Sequence, residues 1–356
     1  MPLISHTPLP SLDRLREEGT TVLNPDRAQG QYIRELHIGL LNMMPDAALE
    51  ATERQFLRLI GESNPIAQFY VHPFTLPSLE RGKVASQHIA SFYESFDQIR
   101  ENGLDALIVT GANVVGPELK TQSFWEPLKE VIDWAYENVT STLCSCLATH
   151  AVLEFRYQQK RRLQEKKAWG VFSHGVMNQH HPLVADINTR FDVPHSRWNL
   201  VARDQFDEAN LLVLAESEEA GVHLATSPDG LRFVMFQGHP EYDTVSLLKE
   251  YKREVSLFAK GERKAYPEFP GRYLPKQGTA LLAEYKQKLI IARASQQKSP
   301  DFPESLVTQR IENTWHDTAE AVVSNWLGCV YQVTHKERKI PFMENVDPKD
   351  PLGLRV

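Results

Sequence analysis

Short runs of apolar and β-branched residues alternate along the chain with longer stretches in which apolar residues recur at helical spacing. Glu35–Met44, Gln68–Phe74, Asp105–Ala112, Thr140–Cys146, Leu211–Glu216, Val222–Thr226 and Arg232–His239 read as strands. Ala47–Ile60, Ser86–Arg100, Trp125–Glu137, Ala148–Tyr157 and Thr244–Lys260 read as helices. Such alternation predicts an α/β protein with a mostly parallel sheet and helices on both faces. Asp105–Gly111 is almost continuously apolar and ends at a glycine, as a central strand does when it delivers a loop to the carboxyl edge of the sheet, where ligands bind. Beyond Lys260 the proline-rich segment Lys264–Pro275 is expected to be extended. Two more helices follow at Gly278–Ala294 and Ser305–Trp326, the second burying Trp315, Val322 and Trp326. The pattern divides the chain into an arm (1–33), a core (34–262) and a helical C-terminal extension packed on that core (263–356).

Composition narrows the functional classes. A chain of 356 residues with 42% hydrophobic content can bury a full core without staples. Its 39 Lys and Arg against 46 Asp and Glu give a net charge of −7, which argues against nucleic acid as a partner. The first residues lack a basic stretch followed by an apolar run, and no stretch of about 18 apolar residues occurs, so neither secretion nor a membrane partner is expected and the cytoplasm is the expected location. Three cysteines, Cys144, Cys146 and Cys329, are too few for a disulfide framework and fit a reducing compartment. Lys160-Arg-Arg with Lys166-Lys167 reads as a solvated loop, too short for a nucleic-acid arm. His174, His180, His181 and His195 follow no metal-ligand spacing, and phosphate-loop and dinucleotide fingerprints are absent, so no metal and no bound cofactor are expected.

Two segments carry candidate chemistry. In Thr140-Ser-Thr-Leu-Cys-Ser-Cys-Leu-Ala-Thr-His an apolar strand runs into a helical pattern with Cys146 at the junction. A thiol on so sharp a turn stands clear of the sheet beside helix N–H groups that favour a thiolate and a developing oxyanion. Cys144 and Cys329 lack this setting and read as core residues. In Arg232-Phe-Val-Met-Phe-Gln-Gly-His-Pro-Glu a strand ends at Gly238, with His239 and Glu241 at its tip. Pro240 keeps the chain extended, so the carboxylate turns back towards the imidazole. Cys146, His239 and Glu241 thus fill the roles of nucleophile, base and orienting acid.

With Thr110-Gly-Ala112, Pro194-His-Ser-Arg197 and Asn325-Trp-Leu added, the chain resembles the homoserine O-succinyltransferase family from about Leu15 to Gln332. The resemblance implies a class I glutamine-amidotransferase-like, flavodoxin-like fold, a role in methionine biosynthesis and a homodimer. It also implies ping-pong transfer of an acyl group from an acyl-CoA co-substrate to the hydroxyl of L-homoserine through an acyl-Cys146. Lys167, Ser196 and Arg253 match family positions in the substrate pocket, Arg253 gripping the substrate carboxylate. Where family members commonly have lysine after the Met-Pro that ends the first strand, this chain has Asp46, which reads as a helix cap. The backbone N–H groups of Leu147 and of the segment near Ala112 then serve as oxyanion donors. At the family's acyl-specificity position, glycine accompanies succinyl-CoA and glutamate acetyl-CoA; Val115 here lacks a carboxylate that would repel succinate and so favours succinyl-CoA. Homoserine O-acetyltransferase, a glutamine amidotransferase and a non-catalytic binding protein on the same fold are the competing readings.

Overall fold

A computed structural model describes residues 3–29, 33–63 and 67–355; residues 1, 2 and 30–32 of the arm lie outside them. Among the described residues one sheet holds eleven strands: β1 (Leu3–Ile4), β2 (Val22–Leu23), β3 (Glu35–Leu41), β4 (Gln68–Phe74), β5 (Ala106–Val109), β6 (Ser141–Ser145), β7 (Arg162–Val176), β8 (Arg190–Leu200), β9 (Leu212–Ser217), β10 (Gly221–Thr226) and β11 (Phe233–Phe236). Their spatial order is β2-β1-β4-β3-β5-β6-β11-β10-β9-β7-β8. From β2 to β11 neighbours run parallel; from β11 to β8 they run antiparallel.

Because successive side chains of a strand point to opposite faces, the central strands feed two cores. Along β5, Ala106 and Ile108 join Leu12, Phe56, Val322 and Trp326, so helices Pro10–Glu17, Leu49–Glu62 and His316–Val333 cover one face. Leu107 and Val109 join Ile99, Leu128, Val131 and Ala148, from helices Phe96–Asn102, Trp125–Asn138 and Leu147–Tyr157 on the other. The mostly parallel sheet with helices on both faces expected from the sequence is the architecture observed. A third cluster joins helix Ser246–Ala259, through Leu247, Tyr251 and Val255, to Leu282, Tyr285 and Leu289 of helix Lys276–Ala294.

Several expectations are corrected. The helix expected over Ser86–Arg100 is two, Lys83–Phe92 and Phe96–Asn102, because Ser95 and Gln98 form a reciprocal capping box that starts the second. The helix expected over Ser305–Trp326 is also two, Glu304–Thr308 and His316–Val333. Asn313 Oδ1 accepts from the N–H groups of Trp315 and His316 and begins the second one there. Trp315, Val322 and Trp326 are nevertheless all buried. Asp46 does not cap the helix that follows it. Its Oδ2 accepts from Gly82 N–H at 2.7 Å and it pairs with Arg81 at 3.4 Å, so it fastens the start of Lys83–Phe92 to the end of β3. The stretch 158–200, read as lacking strands, contains the long β7–β8 hairpin. Within it Arg161, read as part of a solvated loop, is buried.

Candidate active site

The parallel pair β6 and β11 ends in register, Ser145 opposite Phe236, and the backbone turns sharply just beyond. Cys146 has φ 51° and ψ −105°, a conformation that side chains rarely adopt, and it stands immediately before helix Leu147–Tyr157. Its N–H donates to Phe236 O at 2.7 Å. Thr149, one turn into the helix, donates from Oγ1 to both Cys144 O (2.9 Å) and Phe236 O (2.8 Å), tying the elbow to both strand ends. Gly111 lies against the elbow: a Cβ there would stand in ordinary contact, 3.6 Å from Cys146 Cβ and 3.8 Å from Met44 Sδ. The Gly111–Ala112 backbone and the first N–H groups of the helix, Leu147's included, therefore flank the thiol.

At the tip of β11, His239 N–H donates to Pro194 O at 2.7 Å. Its Nδ1 lies 2.8 Å from Glu241 Oε1, and its imidazole and the Cys146 thiol act on each other's charge. Tyr242 stacks on the imidazole, ring centres 4.3 Å apart. The structure thus brings Cys146, His239 and Glu241 together. Burial alone would push the thiol up; the charge of His239, assisted by Arg197, outweighs it and holds Cys146 below its ordinary value. Burial likewise disfavours a charged His239, yet Cys146 and Glu241 together raise it well above its ordinary value. Each group stabilises the charged form of the other.

A second constellation stands beside the first. Glu250, on helix Ser246–Ala259, receives Lys167 Nζ at 3.3 Å, Trp169 Nε1 at 3.1 Å, Tyr242 OH at 2.7 Å and the Ser196 hydroxyl. Burial would raise this carboxyl, but Lys167, Ser196 and Tyr242 keep it below its ordinary value and so ionised. Lys167 and Ser196 are therefore brought together, across β7 and β8, by a residue that sequence reasoning missed. One signal was available: Glu250 interrupts the apolar stripe of Leu247, Tyr251 and Val255. Lys167 owes its aim to the register shift in β7 between Leu163 and Ala168, since a bulge re-aims side chains. Pro194 is tolerated because β8 is the sheet edge, and its carbonyl is left for His239. Arg253 lies one turn beyond Glu250, is exposed, and has Glu254 at 3.8 Å as its ion-pair partner. The geometry does not join it to the triad.

Val115 sits, half exposed, in the loop after β5, its carbonyl accepting from Asn199 Nδ2 at 2.9 Å. Arg197 is buried, with Nε 3.3 Å from His195 Nδ1 and its two terminal nitrogens on Asn199 O and Ala220 O. Burial lowers it to about 10.

A cysteine on a strained strand-to-helix elbow, paired with a His–Glu dyad at the carboxyl edge of a mostly parallel sheet, defines a class: α/β proteins built around a Cys–His–Glu triad. Within that class, the chain belongs to the homoserine O-succinyltransferase family, whose model matches residues 2–336. It is 63% identical over 354 residues to a homoserine O-succinyltransferase of Allochromatium vinosum, covering 99% of each chain, and 64% identical over 354 residues to that of Thiobacillus denitrificans, covering 99% of this chain and all of the relative. Among solved structures it is similar to a glutamine amidotransferase from Thermotoga maritima, with TM-score 0.40 and 10% identity over 84% of this chain and 98% of the other. A second, from Methylobacillus flagellatus, gives TM-score 0.43 and 10% identity over 83% of this chain and 95% of the other. Among the described residues no helix is long and apolar enough to cross a membrane.

Proposed function

We propose that this chain transfers a succinyl group from succinyl-CoA to the side-chain hydroxyl of L-homoserine, in methionine biosynthesis, as a cytoplasmic homodimer. The observation that carries the reading is Cys146 on its strained elbow beside His239, whose Nδ1 lies 2.8 Å from Glu241 Oε1. In the first half-reaction the Cys146 thiolate attacks the thioester carbonyl. The carbon–sulfur bond to CoA breaks, and His239 gives its proton to the departing thiolate. Backbone N–H groups of Leu147 and of the Ala112 segment stabilise the tetrahedral oxyanion in place of the family's lysine. In the second half-reaction neutral His239 takes the homoserine hydroxyl proton, the oxygen attacks the acyl-cysteine, and the Cys146 thiolate and His239 imidazolium are restored.

Homoserine brings an ammonium and a carboxylate, and each needs a partner. Glu250 supplies a buried anion whose position is fixed by four donors, Lys167 and Ser196 among them. Arg253, one helical turn away and held by a single partner at 3.8 Å, is free to close on the carboxylate with its two-pronged guanidinium. Val115 brings no negative charge against the succinyl carboxylate. The test is release of free CoA with L-homoserine, comparing succinyl-CoA with acetyl-CoA. Preferential release from succinyl-CoA, abolished by Cys146→Ala, is expected; equal or greater release from acetyl-CoA would reassign the donor, and no release from either would overturn acyl transfer.

A further inference from the structure

A succinyl group differs from neutral acyl groups of its size by one distal carboxylate. Three carbon–carbon bonds of ~1.5 Å each separate that carboxylate carbon from the reacting carbonyl carbon. An enzyme that selects it must therefore hold a cation within a few ångströms of its thiol. The cations around Cys146 differ in how fully they are occupied. Lys167 is engaged by Glu250. Arg197 has all three nitrogens committed, to His195, Asn199 O and Ala220 O. Arg161 is not so saturated. Nε donates to Pro117 O at 3.2 Å and Nη2 to the carbonyls of Val114 and Gly116, whereas Nη1 makes no hydrogen bond and is not sealed from solvent. It is 5% exposed, and among the described residues no carboxylate forms an ion pair with it, although the charge of Glu154 reaches it.

A buried guanidinium with no ion-pair partner in contact is costly unless an anion completes it. The three carbonyls it holds belong to the loop that descends from Gly111, itself against Cys146 Cβ, and that carries Val115 between them. The charges of Cys146 and Glu154 reach Arg161, opposing the fall that burial imposes on it. Two nitrogens of the guanidinium thus hold carbonyls of the acyl loop, and the third makes no hydrogen bond among the described residues.

We propose that Arg161 is the acyl-donor specificity residue of this chain, its free Nη1 pairing with the distal carboxylate of the succinyl group while Nε and Nη2 hold the Val114–Pro117 loop. The proposal rests on the acyl-transfer reading above. It also explains how Val115 can stand at the specificity position without any charge of its own: the discrimination comes from the cation behind the loop.

The experiment compares kcat/KM for succinyl-CoA and butyryl-CoA, in which a methyl group replaces the carboxylate, using the full chain and L-homoserine. The wild type should favour succinyl-CoA. Arg161→Gln should lower the succinyl-to-butyryl ratio on the order of 100-fold through the succinyl arm, because a charge-assisted pair is lost. Retained butyryl transfer shows that the variant is folded. If Arg161→Gln does not fold, Arg161→Lys decides: a point charge without the fork should lower the ratio about tenfold. A parallel fall with both donors, as loss of the loop clamp alone produces, or an unmoved ratio overturns the assignment. A wild type active with acetyl-CoA alone overturns this assignment and leaves acyl transfer standing; one inactive with acetyl-CoA as well overturns acyl transfer itself, and this proposal with it.

Discussion

Three cysteines in one chain show what sets a thiol's reactivity. Cys144 is buried with no cation beside it and is pushed above its ordinary value; Cys329, likewise buried, rises to about 11. Cys146 goes the other way, although burial acts on it too, because the charge of His239 opposes it. The partner decides the direction. His239→Asn removes the larger of the opposing charges and leaves only Arg197 against burial, so the thiol should rise past the ordinary range of about 8.5. Iodoacetamide alkylation followed against pH is the measurement. The wild type should stay reactive on the acid side of that range, and the variant should slow at neutral pH by at least about tenfold. Superimposable profiles would show that His239 does not activate the thiol. The triad was legible because each member stands at a strand tip, marked by a small residue or proline in a short motif. Glu250 and Arg161 were not, since each acquires its meaning from elements that only the folded chain brings to it.

The β7–β8 hairpin is where local pattern failed most completely. Strand alternation is visible when one face is buried and the other wet, but the first half of β7, Arg162-Leu-Gln-Glu-Lys-Lys, is largely exposed on both faces and bulged. Its charges look like a loop. Yet this hairpin supplies Lys167, Trp169 and Ser196 to Glu250, and Pro194 O to His239. It is pinned from outside by one close backbone approach. Gly170, at φ +147°, lies against Gly271, with Val171 N–H donating to Gly271 O at 2.9 Å and Gly271 N–H to Trp169 O at 2.8 Å. A Cβ on Gly170 would fall 2.2 Å from Gly271 O, and neither backbone can give way without breaking those two bonds. Gly170→Ala should therefore destabilise the fold by about 2 kcal/mol or more. It should also weaken turnover through displaced Trp169, whereas Gly353→Ala, with open space around the Cβ, should cost less. Urea midpoints of the two variants make the comparison, and equal midpoints would remove Gly170 from the list of constraints. The parallel half of the sheet was legible for the opposite reason: its strands are buried on both faces and read as continuous apolar runs.

At the scale of the molecule, the histidines set how stability depends on pH. His174, His195 and His223 form a buried group beneath the His239 loop, His195 Nε2 lying 3.2 Å from His174 Nε2 and Gly238 N–H donating to His223 Nδ1 at 3.3 Å. Burial lowers all three below 6.5, His174 to about 4, with the charge of Arg197 adding to the effect. Burial also takes His150 to about 3, His181 to about 4 and His37 to about 2. The unfolded chain binds protons at these sites from pH 6.5 downward, while the folded chain resists until much lower. Stability is therefore fully present above 6.5 and is lost as pH falls towards the folded values, by up to about 1.4 kcal/mol per pH unit for each histidine. His239, raised instead, is protonated in both states across that window and adds no slope there. Ordinary carboxylates begin to titrate only near the lower end, so imidazoles dominate the interval from 6.5 to about 4.5, against the opposite contribution of Glu62, Asp105 and Glu154, which burial raises. Unfolding free energies from urea titrations at neutral pH and at about pH 5 should differ by several kcal/mol, with the acid value the smaller. Because Gly238 and His239 rest on this group, transferase activity should be lost irreversibly over the same interval in which the unfolded fraction grows. A stability that stayed flat down to about pH 5 would mean that the buried imidazoles are already charged in the native state, and that the cluster under the catalytic loop is held together in some other way.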